Sequence, residues 1–257
     1  MTWSDVPLSA PEKPRDIPAL AAAHRWHPGL AAPAHTEIFA TGDEACGAAL
    51  ALALARDGLK AAGKGALAEK EDRRAILWVQ DRAAVKLTGR PYRHGLAPEL
   101  RHRLIHVEAR TCKDALFALE EGLRCRDIAF VLGEIAGNPR ALDFTASRRL
   151  SLAAQKHGAV LWLVRLDAAA DLSSARMRWQ VHSAASPPMR WDHAAPGTPS
   201  WQAELFRARS HIPGQWILHD DGETLTTSRP STAAHDAETP DHGNLARAAG
   251  TRSLAAG

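Results

Sequence analysis

Thr41-Gly42-Asp43-Glu44-Ala45-Cys46-Gly47-Ala48-Ala49 follows a strand-like Glu-Ile-Phe-Ala at 37–40 and leads into a helical pattern. A loop so placed can turn its backbone amides toward a phosphate, and the dipole of the following helix adds attraction. The spacing from Gly42 to Gly47 fits the G-x-x-x-x-G of nucleotide-binding loops. The chemistry then needs a lysine to reach the β- and γ-phosphates and a serine or threonine to hold Mg²⁺, and these positions are Ala48 and Ala49. Asp43 and Glu44 also bring negative charge to the place where amides would meet phosphate. Gly42 and Gly47 are therefore read as a degenerate nucleotide loop, a tight turn before an Ala-rich helix. Neither hydrolysis nor a bound cofactor is expected of it.

Other reactive side chains give weaker patterns. Gly58-Leu-Lys-Ala-Ala-Gly63-Lys64-Gly65 fits G-x-x-x-x-G-K, but it follows a helix instead of a strand and has Gly65 for Ser/Thr, so we read it as a flexible helix-to-strand loop. Asp81 and Glu134 fall just past the ends of strand-like runs and are expected as solvated acids on the rim. His102 and His106 have the spacing of helical metal ligands, yet their context reads as strand entry, where four residues span roughly 13 Å, too far for one ion. No metal site and no Gly-x-Ser-x-Gly nucleophile elbow follows. Arg148 and Arg149, with Arg140 nearby, open a helical segment and are candidate phosphate contacts or solvated helix-face cations. Trp162, Trp179, Trp191, Trp201 and Trp216 crowd the second half together with Arg207 and Arg209. Trp and Arg are the usual interface anchors, so Trp201, Arg207, Arg209 and Trp216 are candidate partner-binding residues; strand tryptophans also fill cores, and sequence does not choose the face.

The elements that must position these residues read as α/β. The chain has 257 residues, 45% hydrophobic and 24% charged, with a net charge of +3, which suits one globular domain and places any basic patch in local clustering. Cys46, Cys112 and Cys125 suggest neither a disulfide framework nor a zinc site. The apolar runs 48–55 and 159–164 fall short of the roughly 20 residues that cross a bilayer, no basic-then-apolar leader opens the chain, and a cytoplasmic location is expected. Residues 1–35 form a Pro-rich arm, 36–220 a single domain and 221–257 a disordered tail poor in apolar side chains. Within the domain, strand-like 37–40, 76–79, 104–107, 128–132 and 160–164 alternate with helix-like 48–56, 114–123 and 145–157. Runs 176–182, 201–207 and 215–219 then alternate with no helix between them. A mainly parallel sheet flanked by helices, with an antiparallel C-terminal extension, is predicted.

The order of these pieces resembles the RecA-like core, and more closely the RecA-derived ImuA family of damage-inducible mutagenesis accessory proteins. The likeness is carried by residues 75–81 (AILWVQD), 104–126, 142–154 (LDFTASRRLSLAA) and 201–209 (WQAELFRAR), ending in an Arg-x-Arg strand and a Gly-x-Trp-x-Leu strand. The resemblance implies a non-catalytic protein of error-prone translesion synthesis that works with ImuB, a catalytically inactive Y-family-like subunit, and an error-prone C-family DNA polymerase. It also brings RecA into the partner set, allows weak or indirect DNA contact and implies no membrane contact. Against RecA itself, Gly42 and Gly47 match while Ala48 and Ala49 depart, and residues 165–174 and 136–141, in the places of the DNA-binding loops, are short. Two related classes stay open: a SulA-like cell-division inhibitor, from which residues 36–80 differ, and a RecA-like ATPase or DNA-binding protein.

Overall fold

The computed structural model describes residues 25–63, 72–188 and 195–230. Strand β1 (His35–Ala40) is buried along its whole length and feeds α1 (Cys46–Gly63), whose Leu50, Ala51, Leu54 and Ala55 form one apolar stripe at helical spacing. Next come β2 (Ala75–Asp81) and the short α2 (Arg82–Thr88), which Asp81 caps by accepting the Ala84 amide at 2.7 Å. A 3-10 turn (Arg93–Gly95) and α3 (Pro98–Arg101) lead to β3 (Leu104–Ala109). Helix α4 (Cys112–Arg124) opens with a reciprocal capping box between Thr111 and Asp114. After β4 (Ile128–Ala136), α5 (Phe144–His157) is capped by Asp143 and stops at Gly158, which takes the left-handed conformation that favours glycine. The remaining strands are β5 (Leu161–Leu166), β6 (Met177–Ser183), β7 (Ser200–Ala208), β8 (Gly214–Asp220) and β9 (Leu225–Ser228).

All nine strands join one sheet in the order β3-β2-β4-β5-β1-β6-β7-β8-β9. Pairs from β3 through β6 are parallel, and β6-β7, β7-β8 and β8-β9 are antiparallel, which is the fold class expected from the alternation of elements. Because strand side chains alternate, each parallel strand supplies two cores. Ile38, Ile76, Trp78, Leu132, Val164 and Trp179 pack with α1, whereas Leu77, Val79, Val131, Leu161 and Leu163 pack with Leu116, Leu119, Leu123 and Leu150 of α4 and α5. Each such leucine, taken fully out of water, contributes about 1.5–3 kcal/mol. Among the described residues no helix is long and apolar enough to cross a membrane.

Three expectations about extents change. The expected loop at 58–65 is, as far as Gly63, the last turns of α1, and residues 64 and 65 lie outside the described residues. Gly58 costs a helix about 1 kcal/mol, but Arg56 reaches Asp220 and the Gly222 carbonyl and Lys60 reaches the Glu223 carbonyl, so the β8-β9 turn holds the end of the helix. The boundary at 220 falls inside the sheet: Asp221 accepts the Glu223 and Thr224 amides, the chain reverses, and Leu225 is buried in β9. At the other end Trp26, placed in the Pro-rich arm, is buried with its ring 4.8 Å from Trp179 and 5.6 Å from Trp216; the arm's residues 1–24 lie outside the described residues.

Candidate functional site

The turn after β1 lies at the carboxyl ends of the parallel strands, where open α/β sheets bind ligands. Its amides and acids are already engaged by the protein. The Gly42 amide donates to Asp167 Oδ1 at 2.8 Å, and Asp167, just past β5, holds a positive φ of 49° to reach it. A carboxylate thus sits where a phosphate oxygen would. Glu44 Oε2 accepts the Ser183 amide at 2.7 Å; burial opposes its charge, but that amide, the Cys46 thiol and His182 hold its carboxyl below the usual range. Burial, reinforced by Glu44, pushes the Cys46 thiol up to about 12, which makes it inert as a nucleophile. Both glycines are required by close packing. A Cβ on Gly42 would lie 2.7 Å from Asp167 Oδ2, and one on Gly47 would lie 2.8 Å from Val164 Cγ1 and 2.9 Å from Ala40 Cβ.

Behind the loop, Ala48, Ala49, Leu52, Trp78, Thr88 and Glu134 line a cavity of about 210 Å³. Glu134 was expected on a solvated rim; it is instead 1% exposed within β4 and accepts from Trp78 Nε1 at 2.7 Å, Thr88 Oγ1 at 3.1 Å and Gln80 Nε2 at 3.2 Å. Burial raises its pKa, against the pull of these donors. Gln80 Oε1 in turn accepts from His106 Nε2 at 2.9 Å, so His106 serves the network, and no group of His, Cys, Asp and Glu that could hold a metal occurs among the described residues. Asp81, also expected as a solvated acid, is a buried helix cap.

A second polar cluster fills the opposite face of β1. Glu37 Oε2 accepts Arg178 Nε at 2.8 Å with both side chains almost fully buried, and Ser173 Oγ donates to Glu37 Oε1 at 2.7 Å. The Arg178 guanidinium lies 5.0 Å from the Phe39 ring centre and 5.5 Å from that of Phe206, while Arg165 lies 5.7 Å from Phe39. The signal for this cluster was charge inside runs that otherwise read as buried strand, Glu in HTEIFA and Arg in LWLVRL.

The four candidate partner residues divide by face. Trp201 and Trp216 are buried in the core on the α1 side, where Trp216 packs edge-to-face on Trp26 and tilted against Trp179. Arg207 and Arg209 are exposed. Arg149 pairs with Glu120 of α4 at 2.6 Å, and Arg148 is exposed beside it on α5, away from the loop.

No family model matches the chain. It is 35% identical over 126 residues to protein ImuA from two strains of Caulobacter vibrioides, an alignment covering 45% of this chain and 50% of each relative. The chain thus spans about half the length of the curated relatives it matches, and over that span it has the ImuA likeness that its motifs carried.

Proposed function

We propose that this chain is a non-catalytic accessory protein of damage-inducible, error-prone translesion DNA synthesis, acting by binding. Its partners in this reading are an ImuB-like, Y-family-related subunit and an error-prone C-family polymerase, met through the exposed arginines Arg207 and Arg209 on the face opposite the buried Trp201 and Trp216. The ImuA likeness supports the pathway. The observation that carries the non-catalytic part is the Asp167 carboxylate on the Gly42 amide, with Ala48 and Ala49 following. ATP would have to expel an intramolecular anion and would find alanines where the phosphate-contacting lysine and the Mg²⁺-holding hydroxyl belong.

Two measurements test it. ATP titrated calorimetrically into the purified chain should give no saturable micromolar binding and no phosphate release; saturable binding that disappears in Gly47→Asp would favour the ATPase reading. Tagged chain expressed in DNA-damaged cells should retain the polymerase-related subunits after nuclease treatment; retention of a tubulin-like division protein alone would favour the SulA-like reading.

A further inference from the structure

At the end of the sheet away from the loop, a cavity of about 330 Å³ opens where the N-terminal ends of β1 and β6 meet the end of α5. Its polar lining is Gln155, Arg176, Arg209, Ser210 and His211, with no carboxylate. The arginines are placed by the backbone: the Arg176 amide donates to His35 O at 3.1 Å and the Arg209 amide to Arg176 O at 3.0 Å, so the two residues face each other across the β6-β7 ladder. Two rungs along, Arg178 stands opposite Arg207. Like charges directly opposite each other destabilise a sheet unless they are neutralised. Glu37 answers Arg178, but among the described residues Arg176, Arg207 and Arg209 have no ion pair. Gln155 Oε1, accepting from Arg176 Nη2 at 2.7 Å and Nε at 2.9 Å, orients one guanidinium without neutralising it.

We propose that this cavity binds the phosphodiester backbone of a single nucleic-acid strand. Guanidinium forks match phosphate oxygens in pairs, and Arg176 and Arg209 offer two of them from opposite sides of one opening. The cavity has room for more than a bare phosphate, which admits the attached sugar. Arg207 lies two residues before Arg209 on the same exposed face of the sheet, about 7 Å along an extended chain. That step suits the next phosphate of a strand, and a mononucleotide would leave it unused. No Phe, Tyr or Trp lines the cavity, so contact is through charge and indifferent to base sequence. This inference goes beyond the protein-binding reading; it shares Arg207 and Arg209 with that reading, and Arg176 is what separates the two.

The test is fluorescence anisotropy of the full chain with a labelled single-stranded 20-nucleotide DNA, repeated over a salt series. Binding should weaken with salt, and Arg176→Gln with Arg209→Gln should weaken it at least tenfold and lower the log–log salt slope by about 0.7 for each arginine removed. Arg209→Gln alone, at a side chain with no bond to another of the described residues, should show about half of that slope change, and circular dichroism should match the wild type for both variants. Arg90→Gln, at the far edge of the sheet, should bind as wild type. Absence of binding, or equal binding by folded wild type and double variant, overturns the proposal. So does equal competition by a poly-glutamate peptide, which would mark an acidic-protein site, or by a mononucleotide at the same phosphate concentration. Loss of DNA binding by Arg176→Gln, which the protein-binding reading does not use, with partner capture intact supports the strand site by itself; loss of partner capture by the double variant with DNA binding intact overturns it and assigns Arg209 to the protein surface.

Discussion

Gly47 and His35, at opposite ends of the β1 strand, show how single residues are constrained in the core. Alanine in place of Gly47 would gain about 1 kcal/mol of helix propensity, yet its methyl would press on Val164 and on the Cβ of Ala40, which cannot rotate away. Gly47→Ala should therefore lose a net 1–2 kcal/mol, roughly, by overpacking, read as a lower urea midpoint at unchanged slope; an unchanged midpoint would show that α1 can lift from the sheet at no cost. His35 is buried with Nδ1 2.8 Å from Ser151 Oγ and no partner at Nε2. Burial lowers its pKa from 6.5 to about 4, Glu37 opposing and Arg178 and Arg165 adding to the shift. The folded chain keeps the ring neutral while the unfolded chain protonates it near pH 6.5. Its contribution is thus present in full above pH 6.5 and is lost as pH falls toward 4, about 3 kcal/mol in all. Urea melts at pH 7.5, 6 and 5 should show this loss, and His35→Asn should remove about that much of the acid sensitivity; an identical pH profile in the variant would place the sensitivity elsewhere.

The strands β1, β2, β4 and β5 were legible because parallel strands buried on both faces read as unbroken apolar runs, and β6 to β8 because antiparallel strands alternate. What escaped the sequence was pairing across distance. Glu134 meets Trp78 from 56 residues away and Glu37 meets Arg178 from 141, so each charge could be seen but its register partner could not. The end of α1 and strand β9 were hidden together, since Gly58 signals a helix stop and β9 has three exposed polar residues and one leucine. Each supports the other through Arg56, Lys60 and the 221–224 turn. Truncation after Asp220 should consequently cost the burial of Leu225, about 1.5–3 kcal/mol, and lower Tm by roughly 4–10 °C against a chain ending at Pro230. A difference below about 1 °C would show that β9 adds nothing to the fold.

The nine-stranded sheet separates two tasks at its ends. The carboxyl ends of the parallel strands, where chemistry is usually housed, are closed by Asp167, Glu44 and the Glu134 network. The antiparallel flank is less covered: α1 packs on one face of β6, and the other face carries Arg207 and Arg209 into solvent. With a net charge of only +3, that local concentration of arginine is what a partner can recognise. Interface energy gathers on a few Arg and aromatic anchors, on the order of 2 kcal/mol each. Arg207→Ala with Arg209→Ala should therefore weaken capture of the ImuB-like subunit at least tenfold after nuclease treatment, with circular dichroism and Tm unchanged because neither side chain bonds to another of the described residues. Unfolding of the double variant would assign these arginines to the fold. If it stays folded, captures the subunit as wild type does and supports induced mutagenesis at wild-type frequency, the contact lies elsewhere, and the exposed Phe144, Arg148 and Leu152 along α5 are the next face to substitute.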